Sequence, residues 1–268
     1  MGEQRVLITG AAGKVGQMVR ARMVGRPLRL LDVAAPEPAR AAEDVEIRTG
    51  SVTDAAVMRD ACAGVGAVVH LGGVSAENTW GSVLDVNIDG TRTVLEAARL
   101  AGVTRVLLAS SNHAAGFRTR GEGDPLPADV PIRPDTYYGV SKAAMEALGS
   151  LYHDRYGMDV ICLRIGTMDE RPEDPRALAT WLSPDDGTRL VEACLSAPSP
   201  GFRIVWGVSR NTRRWWSLAE GEELGYRPRD DAEAYAPEIL AGAQPDPSDP
   251  VHFRVGGAFC DAPLGEPM

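Results

Sequence analysis

Largely apolar runs of three to seven residues alternate with stretches whose apolar positions recur at helical spacing through the first two thirds of the chain. Val6 to Ile8, Leu28 to Leu31, Val45 to Arg48, Ala67 to Leu71, Val103 to Ala109 and Val160 to Arg164 read as strands. Between them, helices are predicted from Lys14 through Val19 and Met23, after Thr53 or Asp54 as N-cap, from Trp80 to Ile88 and on through Leu100, and from Tyr138 to about Tyr156. Strands that are largely apolar and separated by helices predict a parallel sheet covered on both faces. The expected fold is therefore α/β, a Rossmann-type doubly wound sheet, with ligands at the carboxyl ends of its strands.

From Met168 the pattern loosens. Ser183-Pro184-Asp185-Asp186 leads into a helix read from Gly187 to about Ser196, and Phe202 to Trp206 reads as a strand. The segment after Ala241 is rich in Pro, Asp and Gly, with a short strand expected over Val251–Val255. Residues 1–167 are expected to form a dinucleotide-binding core. Residues 168–268 are expected to form a small substrate-binding annex and tail within the same compact unit.

The turn after the first strand, Thr9-Gly10-Ala11-Ala12-Gly13-Lys14-Val15-Gly16, carries three glycines three residues apart. Gly10 permits a tight turn, Gly13 lets the backbone approach a pyrophosphate, and Gly16 lets the helix pack on the strand. The helix that starts there directs its free N–H groups at the anion. Asp32 ends the second strand about 20 residues on, where a carboxylate binds the adenosine ribose hydroxyls and repels a 2′-phosphate. That favours NAD over NADP; the plainer reading of Asp32 is a loop cap.

At 268 residues, 44% hydrophobic and 24% charged, the chain is long enough for a sizeable core. A formal net charge of −9 without a basic stripe argues against nucleic acid or an anionic membrane as partner. The Arg213-Arg214-Trp215-Trp216 run is accordingly read as core or interface packing, and Phe259 as a contact with a neighbouring subunit. Cys62, Cys162, Cys194 and Cys260 have no paired spacing, and no metal site is expected. With no basic n-region before the first strand and no apolar run of membrane-spanning length, a cytoplasmic protein is expected.

Tyr138 and Lys142 lie four apart at the start of a helix, on one face. An ammonium one turn away favours a phenolate and would bring the tyrosine toward a useful range for a base. Ser111, at a strand end, is placed to hold a reacting oxygen, and Asn87 is a polar residue on a helix face shared with Leu84. By spacing alone, Tyr138 and Lys142 also fit an ordinary solvated helix face.

Taken together, Thr9–Gly16, Asp32, His70-Leu71-Gly72-Gly73, Asn87 with Gly90-Thr91, Ser110-Ser111, Tyr138-Gly139-Val140-Ser141-Lys142 and Leu224-Gly225-Tyr226-Arg227-Pro228 resemble the extended short-chain dehydrogenase/reductase family. The resemblance implies that Gly10, Gly13 and Gly16, with Lys14 and Val15, take the pyrophosphate and Asp32 the ribose. Leu71, Gly72, Gly73 and Ile165 would line the rest of the NAD site. Tyr138 would be the base, Lys142 would lower its pKa and bind the nicotinamide ribose, Ser111 would orient the reacting oxygen, and Asn87 would act through an ordered water. The chain departs from many relatives after the third strand, where Ser51-Val52 replaces an acidic residue, so the adenine contact is assigned to Ser51, Val52 or the backbone.

A narrower similarity, to the uronate dehydrogenases, rests on Ser110-Ser111-Asn112-His113, Leu71–Ser75, Arg164–Thr167, Ala179–Ser183, Val205-Trp206-Gly207, Trp215-Trp216 and Gly256–Phe259. It implies oxidation of C1 of galacturonate or glucuronate by NAD to an aldarolactone, in a homo-oligomer. Arg176 would grip the substrate carboxylate bidentately, while Ser75, Asn112, His113 and Thr167 would bind the sugar. From the residues alone, Arg176 also reads as a solvated loop arginine and His113 as a satisfied loop histidine. Two other functions remain beside this one, a nucleotide-sugar epimerase or dehydratase of the extended family and a non-catalytic dinucleotide sensor. A short annex disfavours the first, and the joint presence of Tyr138, Lys142 and Ser111 disfavours the second.

Overall fold

The computed structural model describes residues 4–38, 43–121, 123, 125–241, 246 and 248–268. Met1–Glu3, on which the reading of the N-terminus partly rests, lie outside them. The strands are β1 (Val6–Thr9), β2 (Leu28–Asp32), β3 (Val45–Thr49), β4 (Ala67–His70), β5 (Arg105–Leu108) and β6 (Asp159–Ile165). Two short strands follow, β7 (Thr167–Met168) and β8 (Trp181–Leu182), and then β9 (Phe202–Gly207). The helices that matter to the site are α1 (Lys14–Arg22), α2 (Ala55–Cys62), α3 (Trp80–Ser82), α4 (Gly90–Leu100), α5 (Tyr137–Tyr156), α6 (Ala177–Thr180) and α7 (Pro184–Ser196).

Seven strands form one parallel sheet in the order β3-β2-β1-β4-β5-β6-β9. Because the chain runs outward from β1 to β3 and then returns to β4 on the other side, the order reverses between β1 and β4, and a ligand crevice opens there. Alternate residues of β1 serve opposite faces. Ile8 packs with Val19, Leu30 and Leu190 on one side, and Leu7 with Leu31, Met58 and Val94 on the other. Each such fully buried aliphatic side chain contributes roughly 1.5–3 kcal/mol.

Local chemistry sets the helix ends. The Asp54 carboxylate accepts from the Ala56 and Val57 amides to start α2, and Thr136 Oγ1 accepts from Gly139 N to start α5. Gly157, at φ +68°, closes α5 in the left-handed region. The helix expected from Trp80 to Leu100 is one continuous run, but Val83–Asp89 widens into a π-turn between α3 and α4.

Two expectations for the second part change. Phe202–Gly207 pairs in parallel with β6, so the sheet itself crosses the division expected at residue 167, and α7 begins at Pro184 because Ser183 caps Asp186 N. Val251–Val255 is not a strand: Pro250–His252 is a 3-10 turn, started by Asp249 accepting from Val251 N, and extended pairing is limited to a single bridge between Thr119 and Arg254. The Trp215-Trp216 pair is packing, as expected. Trp216 is buried and stacks on Trp206 at 4.6 Å, while Arg213 pairs with Glu233 at the surface. Among the described residues no helix is long and apolar enough to cross a membrane.

Candidate active site

At the β1–α1 turn the backbone is exposed to a cleft of about 450 Å³ lined by Gly10, Gly13, Lys14, Val15 and Gly16 on one side and by Asp32 at its far end. Gly10 has φ +69°, and a Cβ there would collide with the backbone of Leu71 and Gly72. A Cβ on Gly16 would strike Gly10 O, so the helix lies directly on the turn. Gly13 is the N-cap of α1 and offers no side-chain acceptor, and the first turn holds no acidic residue. This helix end is therefore left for an external anion. The glycine cradle fits a dinucleotide pyrophosphate.

Asp32 Oδ2 accepts from Ala12 N at 2.9 Å and Oδ1 from Ala34 N at 3.2 Å, which fixes the carboxylate at the rim of the cleft. Leu71, Gly72, Gly73 and Ser75 form the opposite wall. Beyond Asp32 the wall is made by Val33, Ala34 and Val86, which the sequence reading did not single out. Ser51 is turned instead toward Thr53, 2.8 Å between hydroxyls, and Val52 is buried against Gly72 and Gly90. The structure does not bring either side chain to the cleft wall; an apolar residue in place of an acid leaves packing as its use.

Past Gly73 the cleft continues into a pocket of about 220 Å³ lined by Val15, Ser111, Tyr138, Lys142 and Ile165. Tyr138 is buried beside Ser111, whose hydroxyl donates to Asn112 Oδ1 at 3.2 Å. Burial pushes the phenol up to about 12, Ser111 opposes this, and the Asp135 charge adds to it. The Lys142 ammonium sits 5.3 Å from the ring centre and donates to Ala109 O at 2.7 Å rather than to the phenol oxygen. Burial in turn brings Lys142 down to about 8, with Glu146 opposing.

Asn87 is buried in the π-turn. Its Oδ1 accepts from Val74 N at 2.8 Å, and its Nδ2 donates to Val74 O at 3.0 Å and Ser141 Oγ at 2.9 Å. It pins the Gly73–Ser75 loop directly to the helix of Tyr138, a contact that needs no intervening water. Behind Ser111, Ser110 Oγ donates to Glu146 Oε1 at 2.6 Å, and Arg164 donates to both Glu146 oxygens at 2.8 Å within the core. His70 of the family motif is not at the reacting centre. It lies fully buried between Thr9 Oγ1 and Thr91 Oγ1, and burial brings it down to about 3, so it is neutral.

Beyond Gly166, which also lines the Tyr138 pocket, opens a cavity of about 550 Å³, bounded by Asn112, His113, Thr167, Arg176 and Phe259. The Arg176 guanidinium donates to Val255 O, while its buried Nε has no partner among the described residues. Burial lowers its pKa, with Asp174 opposing. One of its edges is thus spent on the chain itself. Thr167 is exposed with its hydroxyl 3.3 Å from that of Thr180, and Asn112 Nδ2 donates to Val255 O at 2.7 Å. Phe259, expected at a subunit contact, stacks on His113 at 4.1 Å between ring centres. Asp135 is another residue the sequence reading missed: its buried carboxylate meets His113 Nδ1 at 2.7 Å. No local pattern marks it beyond the Thr136 cap beside it.

The model of the NAD dependent epimerase/dehydratase family matches residues 6–169. The uronate dehydrogenase of Pseudomonas putida is 41% identical over 260 residues, 96% of each chain. The crystal structure of uronate dehydrogenase from Agrobacterium tumefaciens superimposes with a TM-score of 0.92 at 38% identity, covering 99% of this chain and all of that one. A mutant of the same Agrobacterium enzyme, solved complexed with NAD, gives 0.91 at 38% identity over 98% of both chains. This chain belongs to the NAD dependent epimerase/dehydratase family and, within it, to the uronate dehydrogenases.

Proposed function

We propose that the protein oxidises C1 of a cyclic uronic acid with NAD to give the aldarolactone, with Tyr138 taking the proton of the anomeric hydroxyl. The observation that carries this reading is that the pocket of Ser111 and Tyr138 joins two larger cavities, sharing Leu71, Gly73 and Ser75 with one and Gly166 with the other. The glycine cradle and Asp32 lie on one side, Arg176 and His113 on the other, and Tyr138 stands between them.

NAD, held by the glycine turn and Asp32, supplies the hydride acceptor for C1. The protein's own residues do the rest. Ser111 donates to the anomeric oxygen, Tyr138 accepts its proton, and the oxygen's electron pair forms the C1=O bond of the lactone as hydride leaves C1. A positioned base of this kind contributes about 10²–10⁴-fold to the rate. Lys142 supplies the positive charge that favours the phenolate, and Asn87 holds the loop that lines the reacting centre. Arg176, with its unpartnered Nε, and His113 face the substrate carboxylate and hydroxyls, a charge-assisted arrangement. Ser75, Asn112 and Thr167 complete the polar rim. Val33, Ala34 and Val86, which line the same cleft, would hold the adenine.

Purified protein given NAD and galacturonate or glucuronate should form NADH. Turnover of a UDP-sugar with none of free uronates would favour an epimerase or dehydratase, and NAD binding without either turnover would favour a sensor. The protein works as a homo-oligomer in the cytoplasm in this reading. Exposed Leu100, Leu151 and Tyr156 on α4 and α5 support the assembly, which light scattering measures.

A further inference from the structure

Glu77 lies in the loop between β4 and α3, and its side chain is fully buried. Among the described residues no cation pairs with it. A buried carboxylate without a counter-ion is costly unless hydrogen bonds replace its water, and here they come from two distant places. Oε2 accepts from Tyr138 N at 2.9 Å, and Oε1 accepts from Gly265 N at 2.7 Å. The backbone carbonyl of Glu77 accepts from Met268 N at 3.2 Å.

The first partner is the second residue of α5, where the helix's positive end favours an anion. Thr136 already serves Gly139 N, so Glu77 satisfies the donor that the local cap leaves over. The second partner belongs to the segment that walls the substrate cavity. Val255 N donates to Arg118 O and Gly256 N to Gly116 O, while Val255 O receives Asn112 and Arg176. Phe259 then stacks on His113, and the chain returns to lay Gly265 against the Tyr137 ring.

We infer that Glu77 is a positioning residue that clasps the 255–268 segment to the first turn of α5, so that the wall of the substrate cavity and Tyr138 are set in place together. A carboxylate suits the task because both donors are N–H groups. A glutamine would turn an NH2 toward one of them and lose that bond. The inference rests on Tyr138 as the base.

The test compares the wild-type enzyme with Glu77→Gln, Glu77→Ala, a chain ended after Leu264, and the ended chain carrying Glu77→Gln. Expected is a roughly tenfold rise in KM for galacturonate or glucuronate or a comparable fall in kcat, with KM for NAD within about twofold. The ended chain and Glu77→Gln should be similarly impaired, and their combination no worse than either. Normal uronate kinetics in the ended chain, or fully additive losses, would overturn the inference. Hydrogen exchange in the ligand-free protein gives a readout independent of turnover. Glu77→Gln should lose protection in peptides covering 255–268 and in the first turn of α5, and unchanged protection in the 255–268 segment would overturn the clasp. Wild-type protein that binds NAD but turns over no uronate would remove the functional reading and leave the exchange result to decide. If Glu77→Ala fails to fold, the ended chain decides.

Discussion

His113 Nδ1 lies 2.7 Å from Oδ2 of Asp135, a carboxylate with no solvent exposure. Asp135 Oδ1 is occupied by the Thr136 hydroxyl at 2.9 Å, so the acid is fixed and the imidazole is fixed by it. The bond puts the Nδ1 proton on the Asp135 side and leaves Nε2 as the ring's acceptor. Asp135→Asn keeps an oxygen for Thr136 but loses the acceptor for His113. About a 10- to 100-fold loss in kcat/KM for uronates is expected, with KM for NAD unchanged, and steady-state kinetics checks it. Because the Asp135 charge raises the Tyr138 phenol, the alkaline rise of activity in this variant should also move to lower pH.

Tyr138→Phe removes the proton acceptor without disturbing the helix cap or the cleft. Turnover should fall by about 10²–10⁴-fold, while NAD binding, followed by fluorescence titration, stays within about twofold. In the parent enzyme, burial holds the phenol protonated at neutral pH, so kcat/KM should climb toward alkaline pH.

Arg176→Lys keeps a charge but loses the planar fork. KM for uronates should rise about tenfold, and further in Arg176→Ala, with little change in KM for NAD. Equal rises in both KM values would place the effect in the fold and not in carboxylate binding.

Asp32→Ala removes the acceptor from the cleft rim and the repulsion of a 2′-phosphate. The NAD over NADP preference, as a ratio of kcat/KM values, should drop about tenfold or more. An unchanged ratio would assign cofactor choice to another residue.

His70 makes the fold acid-sensitive. Burial depresses its pKa from 6.5 to about 3. Above 6.5 the ring is neutral folded and unfolded alike; below it, only the unfolded chain takes up the proton. The stability contribution is therefore complete above 6.5 and lost as pH falls toward 3, at no more than about 1.4 kcal/mol per pH unit. Urea unfolding near pH 7 and near pH 5 should show His70→Gln losing about 2 kcal/mol less than the parent over this interval. Identical losses would exclude His70.

The glycine turn, Asp32 and the Tyr138–Lys142 pair were legible because each depends on spacing within one strand–turn–helix unit. β9 was recognised as a strand, but its place beside β6 was not, since periodicity carries no information on pairing partner. Glu77 and Asp135 were invisible for a related reason. Their purpose is to receive donors 61 and 22 residues away, and nothing in their own neighbourhood requires an acid. Val33, Ala34 and Val86 of the cleft wall went unnoticed because they are apolar side chains of the β2 loop and the π-turn, which pattern reading treats as packing. Spacing placed Tyr138 and Lys142 on one face without saying where the ammonium points, which is to Ala109 O.

In the proposed reaction, hydride leaves C1 of a free uronic acid for NAD while Tyr138 removes the anomeric proton. Galacturonate carrying deuterium at C1, incubated with the enzyme and NAD, tests it most directly by mass spectrometry of the products. Deuterium is expected in the reduced cofactor, with none in the lactone, and neither product from Tyr138→Phe above a trace. Deuterium retained in the sugar, or a Tyr138→Phe variant that transfers it at near the parent rate, would contradict it.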